Sequence, residues 1–171
     1  TGVREKALVT FAIDRTRGTV IWERTAPSDA TPPVDKRNNP ASPSVAVDAN
    51  GVYVFFPDYG LVAYDTAGKD LWKMPLGPFN NIYGMGSSPV VINGLVILSC
   101  DQSTGSYVMA VDARTGKERW KTARPEGKSG HATPILWRAA DGRDEILIPG
   151  SFLLTAYDAA TGARRWWVNG L

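Results

Sequence analysis

The sequence predicts an all-β fold assembled from repeated four-stranded antiparallel units. Three observations carry that reading. First, four segments share one pattern of Ala-x-Asp, a turn containing Gly, then Trp: Ala12–Trp22, Ala63–Trp72, Ala110–Trp120 and Ala156–Trp166. Their tryptophans stand 50, 48 and 46 residues apart, a period that marks a structural repeat. Second, Ser42-Pro43, Ser88-Pro89 and Thr133-Pro134 each open an apolar stretch that closes on a turn, at Asp48-Ala49-Asn50-Gly51, Asn93-Gly94 and Asp141-Gly142. Third, the runs after those turns, Val52–Phe56, Leu95–Leu98 and Ile146–Ile148, are apolar on consecutive residues.

Each element follows in order along a unit. Strand A runs from the repeated Pro to the turn. Asn-Gly and Asp-Gly close a hairpin because both residues tolerate positive φ. Strand B is apolar without alternation, so both of its faces are buried. A Gly-containing loop leads to strand C, which ends on Ala-x-Asp. The Asp at that end can accept backbone N–H groups in an Asx-type turn. The Gly supplies a left-handed position. The Trp of strand D then brings a large plate and one N–H donor to a fixed place, and the small Ala leaves room for a ring. Gly and Pro together make 17 + 12 = 29 of 171 residues, a density that breaks helices. Sheets buried on both faces stack as blades, so the architecture is a partial β-propeller of about three and a half blades. Residues 1–24 are expected as a half blade, with Lys6–Asp14 as strand C and Thr19–Arg24 as strand D; 25–74, 75–122 and 123–171 are expected as whole blades. Propellers have roughly four to eight blades, so the chain reads as a segment of a larger one.

Composition excludes several function classes. Lys and Arg total 19 against 17 Asp and Glu, a net charge of +2, too even for a nucleic-acid footprint. With 43% hydrophobic residues the chain can bury a core. A single cysteine, Cys100, excludes an internal disulfide framework and a Cys-rich zinc site, and a single histidine, His131, excludes sites built on two histidines. Cys100 follows an apolar strand and reads as a small buried hydrophobe. No apolar run approaches the ~20 residues of a membrane span. Asp141–Glu145 lacks the spacing of a calcium loop and reads as a charged hairpin. Lys117, Arg119, Lys121, Arg124 and Lys128, interrupted by Glu118 and Glu126, read as solvated charges on an outer strand, where they discourage edge pairing.

At the repeated motif the chain resembles the quinoprotein-type β-propellers, whose blades carry the tryptophan-docking motif A-x-D-x-x-T-G-K-x-x-W. The copies with Thr115-Gly116 and Thr161-Gly162 match best; the first has Arg17 and the second Ala67 at the Thr position. The resemblance implies that the motif residues are structural: Ala12, Asp14, Gly18 and Trp22; Ala63, Asp65, Gly68 and Trp72; Ala110, Asp112, Gly116 and Trp120; Ala156, Asp158, Gly162 and Trp166. Each docking Trp would pack on the turn of a neighbouring motif. Some members of the family are pyrroloquinoline quinone (PQQ) dehydrogenases that hold calcium; others bind no cofactor, such as the propeller lipoprotein of the outer-membrane barrel assembly machinery. The adjacent-cysteine pair that many of the dehydrogenases hold over the quinone has no counterpart, because Cys100 is followed by Asp101. The resemblance implies a periplasmic or extracellular location.

Function is expected on one face of the propeller. The A–B and C–D turns share a face and repeat; the B–C and D–A loops share the other and vary, which is where sites concentrate. The D–A loops read Arg37-Asn38-Asn39-Pro40, Tyr83-Gly84-Met85-Gly86 and Lys128-Ser129-Gly130-His131; the B–C loops add Asp58-Tyr59, Asp101-Gln102 and Ser151-Phe152. Asn38, Asn39, Asp58, Tyr59, Tyr83, Met85, Asp101, Gln102 and His131 are therefore candidate ligand-binding residues, with no catalytic residue and no metal ligand among them. The leading reading is a non-catalytic scaffold that binds a protein or a small polar ligand, with no cofactor in this chain and no nucleic acid or membrane span. The alternatives are part of a PQQ- and calcium-dependent dehydrogenase, or a sugar- or polymer-binding propeller. Uncovered terminal blades are expected to self-associate.

Overall fold

Sheet follows sheet along the chain, and no strand crosses from one to another. A computed structural model describes residues 1–28, 35–36 and 38–170, and among them there are strands and turns but no helix. The first sheet contains β1 (Gly2–Arg4), β2 (Ala7–Ile13) and β3 (Val20–Thr25); the second contains β4 (Ala46–Val47), β5 (Val52–Phe56), β6 (Gly60–Tyr64) and β7 (Asp70–Pro75). The third contains β8 (Val90–Ile92), β9 (Leu95–Cys100), β10 (Tyr107–Asp112) and β11 (Glu118–Ala123); the fourth contains β12 (Ile135–Arg138), β13 (Asp144–Gly150), β14 (Leu153–Asp158) and β15 (Arg164–Asn169). Every sheet is an antiparallel meander in which sequence neighbours are hydrogen-bonded neighbours. The chain is all-β, with the stacked small sheets of a propeller.

The first unit differs from its expected two strands. Gly2–Arg4 folds back on Ala7–Val9 across the Glu5-Lys6 turn, giving a third strand. Glu5 takes the left-handed position of that turn, at φ 57°.

Burial of strand B on both faces explains the stacking. Tyr53, Val54, Phe55 and Phe56 of β5 are all fully buried. Their side chains alternate: Tyr53 and Phe55 join the core between the second and third sheets, Val54 and Phe56 the core between the first and second. A third core, around Ile97, Val108, Ile146, Ile148 and Tyr157, joins the third and fourth sheets. Each fully buried large apolar side chain contributes about 1.5–3 kcal/mol, so the sheets hold one another.

Candidate functional site

The four motif turns are built alike. Ala12, Ala63, Ala110 and Ala156 lie directly across the strand from Trp22, Trp72, Trp120 and Trp166, and a register shift follows each pair. The Asp of each motif accepts two N–H groups of its own turn through Oδ1: Thr16 and Arg17 on Asp14, Ala67 and Lys69 on Asp65, Arg114 and Thr115 on Asp112, Ala160 and Thr161 on Asp158. The Thr115 hydroxyl and N–H hold the Asp112 carboxyl below its usual range; Asp158 is held low by Arg165 and then by Thr161. Gly18, Gly68, Gly116 and Gly162 have φ of 67°, 82°, 70° and 72°, the left-handed region that an L side chain enters at a cost.

Three tryptophans reach across to the next motif. Trp22 Nε1 donates to the Thr66 carbonyl at 3.0 Å, Trp72 Nε1 to Ala113 at 2.8 Å and Trp120 Nε1 to Ala159 at 3.2 Å. Their rings lie flat over the next glycine, so that a Cβ on Gly68 would meet Trp22 at 2.7 Å and one on Gly116 would meet Trp72 at 2.6 Å; Gly162 is equally filled by Trp120. Trp166 instead donates to Glu145 Oε2 of its own sheet at 2.7 Å and meets Trp137 edge-on at 5.9 Å.

The loop face holds a hollow of about 370 Å³ lined by Asp35, Asn38, Tyr83 and His131. Asn38 Nδ2 donates to the Tyr83 carbonyl at 2.6 Å, and His131 Nε2 donates to the Gly84 carbonyl at 3.1 Å, with its ring 6.5 Å from Tyr83. The structure thus brings Asn38, Tyr83 and His131 together; Asn39 is exposed beside them, and its Oδ1 accepts from the Ala41 N–H. Arg37, read into the same loop, lies outside the described residues.

Other candidates are placed differently. Met85 is only 1% exposed and belongs to the core with Tyr53 and Phe55, so it is not a surface contact. Asp101 is 2% exposed and receives Arg124 Nε at 2.7 Å and Nη2 at 2.9 Å, so its carboxylate is spent on an internal fork. Arg124 itself is fully buried, which corrects its reading as a solvated edge charge: it turns inward because Asp101, Tyr157 and Glu126 offer it oxygens. Burial acts to lower the Arg124 value, but Asp101 outweighs it and the group stays cationic. For Glu126, burial acts upward, yet its own N–H, Tyr157 and Arg124 hold the carboxyl below its usual range. Gln102 is bound into the loops, accepting from the Asn80 N–H at 2.9 Å and donating to the Gly105 carbonyl at 3.2 Å. Tyr59 packs against the core of the first two sheets. Asp58 has a buried Oδ2 with no hydrogen-bond partner, and burial raises its carboxyl to about 6. The Cys100 thiol, fully buried, is pushed up to about 12 by burial.

Sequence reasoning placed no site on the turn face, yet the larger cavity lies there. It measures about 690 Å³ between the third and fourth sheets and is lined by Asn93, Asp112, Arg114, Arg119, Arg143 and Asp158, among others. Its signal was the Asp-Gly and Asn-Gly turns themselves, which bring acids and arginines of adjacent motifs to one rim.

The family described as "Outer membrane protein assembly factor BamB" matches residues 5–169. The chain belongs to this family. A relative, the quinohemoprotein alcohol dehydrogenase ADH-IIG of Pseudomonas putida, is 29% identical over 142 residues, covering 75% of this chain and 20% of that enzyme. The structure of BamB from Moraxella catarrhalis superposes with a TM-score of 0.65 at 19% identity, over 89% of this chain and 41% of that one. Quinohemoprotein alcohol dehydrogenase from Comamonas testosteroni gives 0.65 at 18% identity, over 96% of this chain and 32% of that one. The chain therefore spans a fifth to two-fifths of the length of these relatives, and the two structural likenesses are likenesses of fold.

The dehydrogenase relatives raise the question of whether these residues fit PQQ and calcium. Among the described residues no three His, Cys, Asp or Glu side chains come together as ligands, and the loop-face carboxylate of Asp101 is neutralised by Arg124. The buried Cys100 has no adjacent cysteine to lie over a quinone. The donor set of the described residues does not fit the pair.

Proposed function

We propose that this propeller segment is a non-catalytic scaffold that binds a protein on its B–C and D–A loop face. One observation carries the reading. Ile82 and Phe152 on that face are 71% and 80% exposed, while Asn38, Asp101 and Gln102 beside them are held by internal partners. A small polar ligand needs free polar groups, whereas a protein partner is recognised by apolar and aromatic anchors within a polar rim. Phe152 also sits at φ 64°, a position that suits Gly or Asn far better than an aromatic residue. Membership of an outer-membrane assembly family supports protein binding in the periplasm or outside the cell. In this reading Trp22, Trp72 and Trp120 lock sheet to sheet.

A second reading rests on the 29% identity to a quinohemoprotein dehydrogenase: the chain is part of such an enzyme, and the groups for PQQ and calcium lie partly beyond it. Capture from a periplasmic extract on the immobilised chain addresses the first reading. The scaffold reading expects a protein retained by the wild-type chain and lost on the Ile82→Ser, Phe152→Ser double variant, with an Arg143→Ala change on the opposite face without effect. Equal retention by the loop-face variant, or no retained protein, contradicts it.

A further inference from the structure

The turn-face cleft lies apart from the loop face and takes its walls from three successive sheets. Asn50 comes from the second, Asn93, Arg114 and Arg119 from the third, and Asp144 and Ala160 from the fourth. Its volume of about 690 Å³ falls within the ~300–1,000 Å³ of small-molecule sites. Ile92, Leu95, Ala113 and Ala159 give it an apolar floor. The walls are tied together. Asn93 Nδ2 donates to Asp144 Oδ2 at 2.7 Å across the third and fourth sheets, the Ala113 N–H donates to the Gly94 carbonyl at 2.8 Å, and the Ala159 carbonyl accepts Trp120 Nε1 at 3.2 Å. Room is left because the fourth unit has Ala160 at the motif position where the third has Arg114.

The charges around the cleft are unevenly spent. Each lining carboxylate is answered within the protein. Asp112 accepts the N–H groups of Arg114 and Thr115 and the Thr115 hydroxyl; Asp144 accepts Arg138 Nε and Asn93 Nδ2; Asp158 accepts Arg165 Nη2 and the Thr161 hydroxyl. Thr115, Arg138 and Arg165 hold the carboxyls of Asp112, Asp144 and Asp158 below their usual range, so all three stay ionised. Arg143 is likewise committed, with Nε at 2.7 Å and Nη2 at 2.6 Å from Asp141. Two arginines are left. The Arg114 guanidinium has no hydrogen bond or ion pair among the described residues, and Arg119 has a single one, Nη1 to Asp112 at 3.4 Å. The motif itself does not require this pair: the other copies have Thr16 and Ile21, Ala67 and Leu71, and Ala160 and Arg165 at the two positions.

We propose that this cleft binds a monocarboxylate with an apolar stem, its carboxylate on Arg114 and Arg119 and its stem over Ile92, Leu95, Ala113 and Ala159. A guanidinium presents planar donors that match a carboxylate or a phosphate. The three ionised aspartates decide between them, because they repel a phosphate ester, charged about −1.5 to −2 at pH 7, more than a single charge. A free organic acid and the C-terminus of a peptide with an apolar last residue both carry this chemistry.

Amide NMR of the isotope-labelled chain tests it, with hexanoate, acetate, acetylglycylleucine, hexyl phosphate and hexanol as probes. Saturable shifts at Gly94, Ala113 and Ala160 are expected with hexanoate, with the dipeptide or with both, weaker with hexyl phosphate and absent with hexanol. Tighter binding of hexanoate assigns a free acid; tighter binding of the dipeptide assigns a peptide C-terminus. Arg114→Ala and Arg119→Ala should each weaken binding about tenfold, the loss expected when a hydrogen bond between charged groups is removed at an exposed rim. Lys117→Ala takes the same charge from the same turn outside the cleft and should change the affinity by no more than about twofold, as an exposed charge without contact does. Ala160→Phe, at a position where the third unit already carries a long side chain, should fill the cleft and bring hexanoate down to the level of acetate. No saturable shift with either carboxylate, tighter binding of hexyl phosphate, or equal losses for Lys117→Ala and Arg114→Ala overturns the site.

Discussion

Two glycines with the same backbone demand separate turn geometry from ring packing. Gly18 and Gly162 both stand near φ 70°, but only Gly162 carries a tryptophan above it. Ala at either position meets the left-handed penalty of about 1–2 kcal/mol. At Gly162 the new methyl must also displace Trp120, an overpacking cost of about 1–3 kcal/mol. Urea unfolding of the two variants should place Gly162→Ala well below Gly18→Ala; equal midpoints would mean that the ring contact adds nothing. Asp58 gives a second test at this scale. Its folded value of about 6 lies above the ordinary 3.8, so between roughly pH 4 and 6 the native state keeps a proton that the unfolded chain has released. Its contribution to stability is present below that window and is lost as pH rises through 6. Asp58→Asn should therefore raise the thermal midpoint at pH 7 relative to the wild type and leave it near unchanged at pH 4. A difference that does not vary with pH would show that the carboxyl titrates normally. Lowered carboxyls such as Asp112 and Asp158 push stability the other way in acid, which is why the comparison is between variants.

The seams between sheets are equivalent in geometry but not in chemistry. Four residues beyond Trp22, Trp72 and Trp120 stand Ala26, Leu76 and Arg124. Facing them, one residue after the motif Ala of the next sheet, stand Tyr64, Val111 and Tyr157. The middle seam is apolar, and the last carries a buried guanidinium forked onto Asp101 and bonded to the Tyr157 hydroxyl at 2.8 Å. The first pairs Ala26 with Tyr64, whose hydroxyl is buried without a partner. Removing one member of a buried ion pair costs about 3–5 kcal/mol, whereas removing the pair together costs far less. Arg124→Met should show the larger loss in denaturant unfolding, and Arg124→Met with Asp101→Asn should recover most of it; a double variant as weak as the single would show that the fork is not what holds this seam. The repeat made the strands and motif turns readable in advance, because each depends on a few adjacent residues. Met85, Asp101 and Arg124 were not readable in the same way. Whether a loop side chain is solvated or buried depends on the loop that the neighbouring sheet lays over it, some twenty residues away, and the copies of the repeat differ there.

At the scale of the molecule, chemistry is concentrated on two faces. The loop face presents Ile82, Tyr83 and Phe152 over a framework whose polar groups are largely satisfied; the turn face presents arginines and aspartates around its cleft. We propose that the chain works as a binding scaffold and not as a quinone enzyme. Isothermal titration of the 171-residue chain with PQQ in the presence of calcium tests that claim most directly. No saturable heat is expected of a scaffold, since Asp101 is committed to Arg124 and Cys100 stands alone and buried. Micromolar binding at one site per chain, lost when calcium is chelated, would contradict it and establish the dehydrogenase reading.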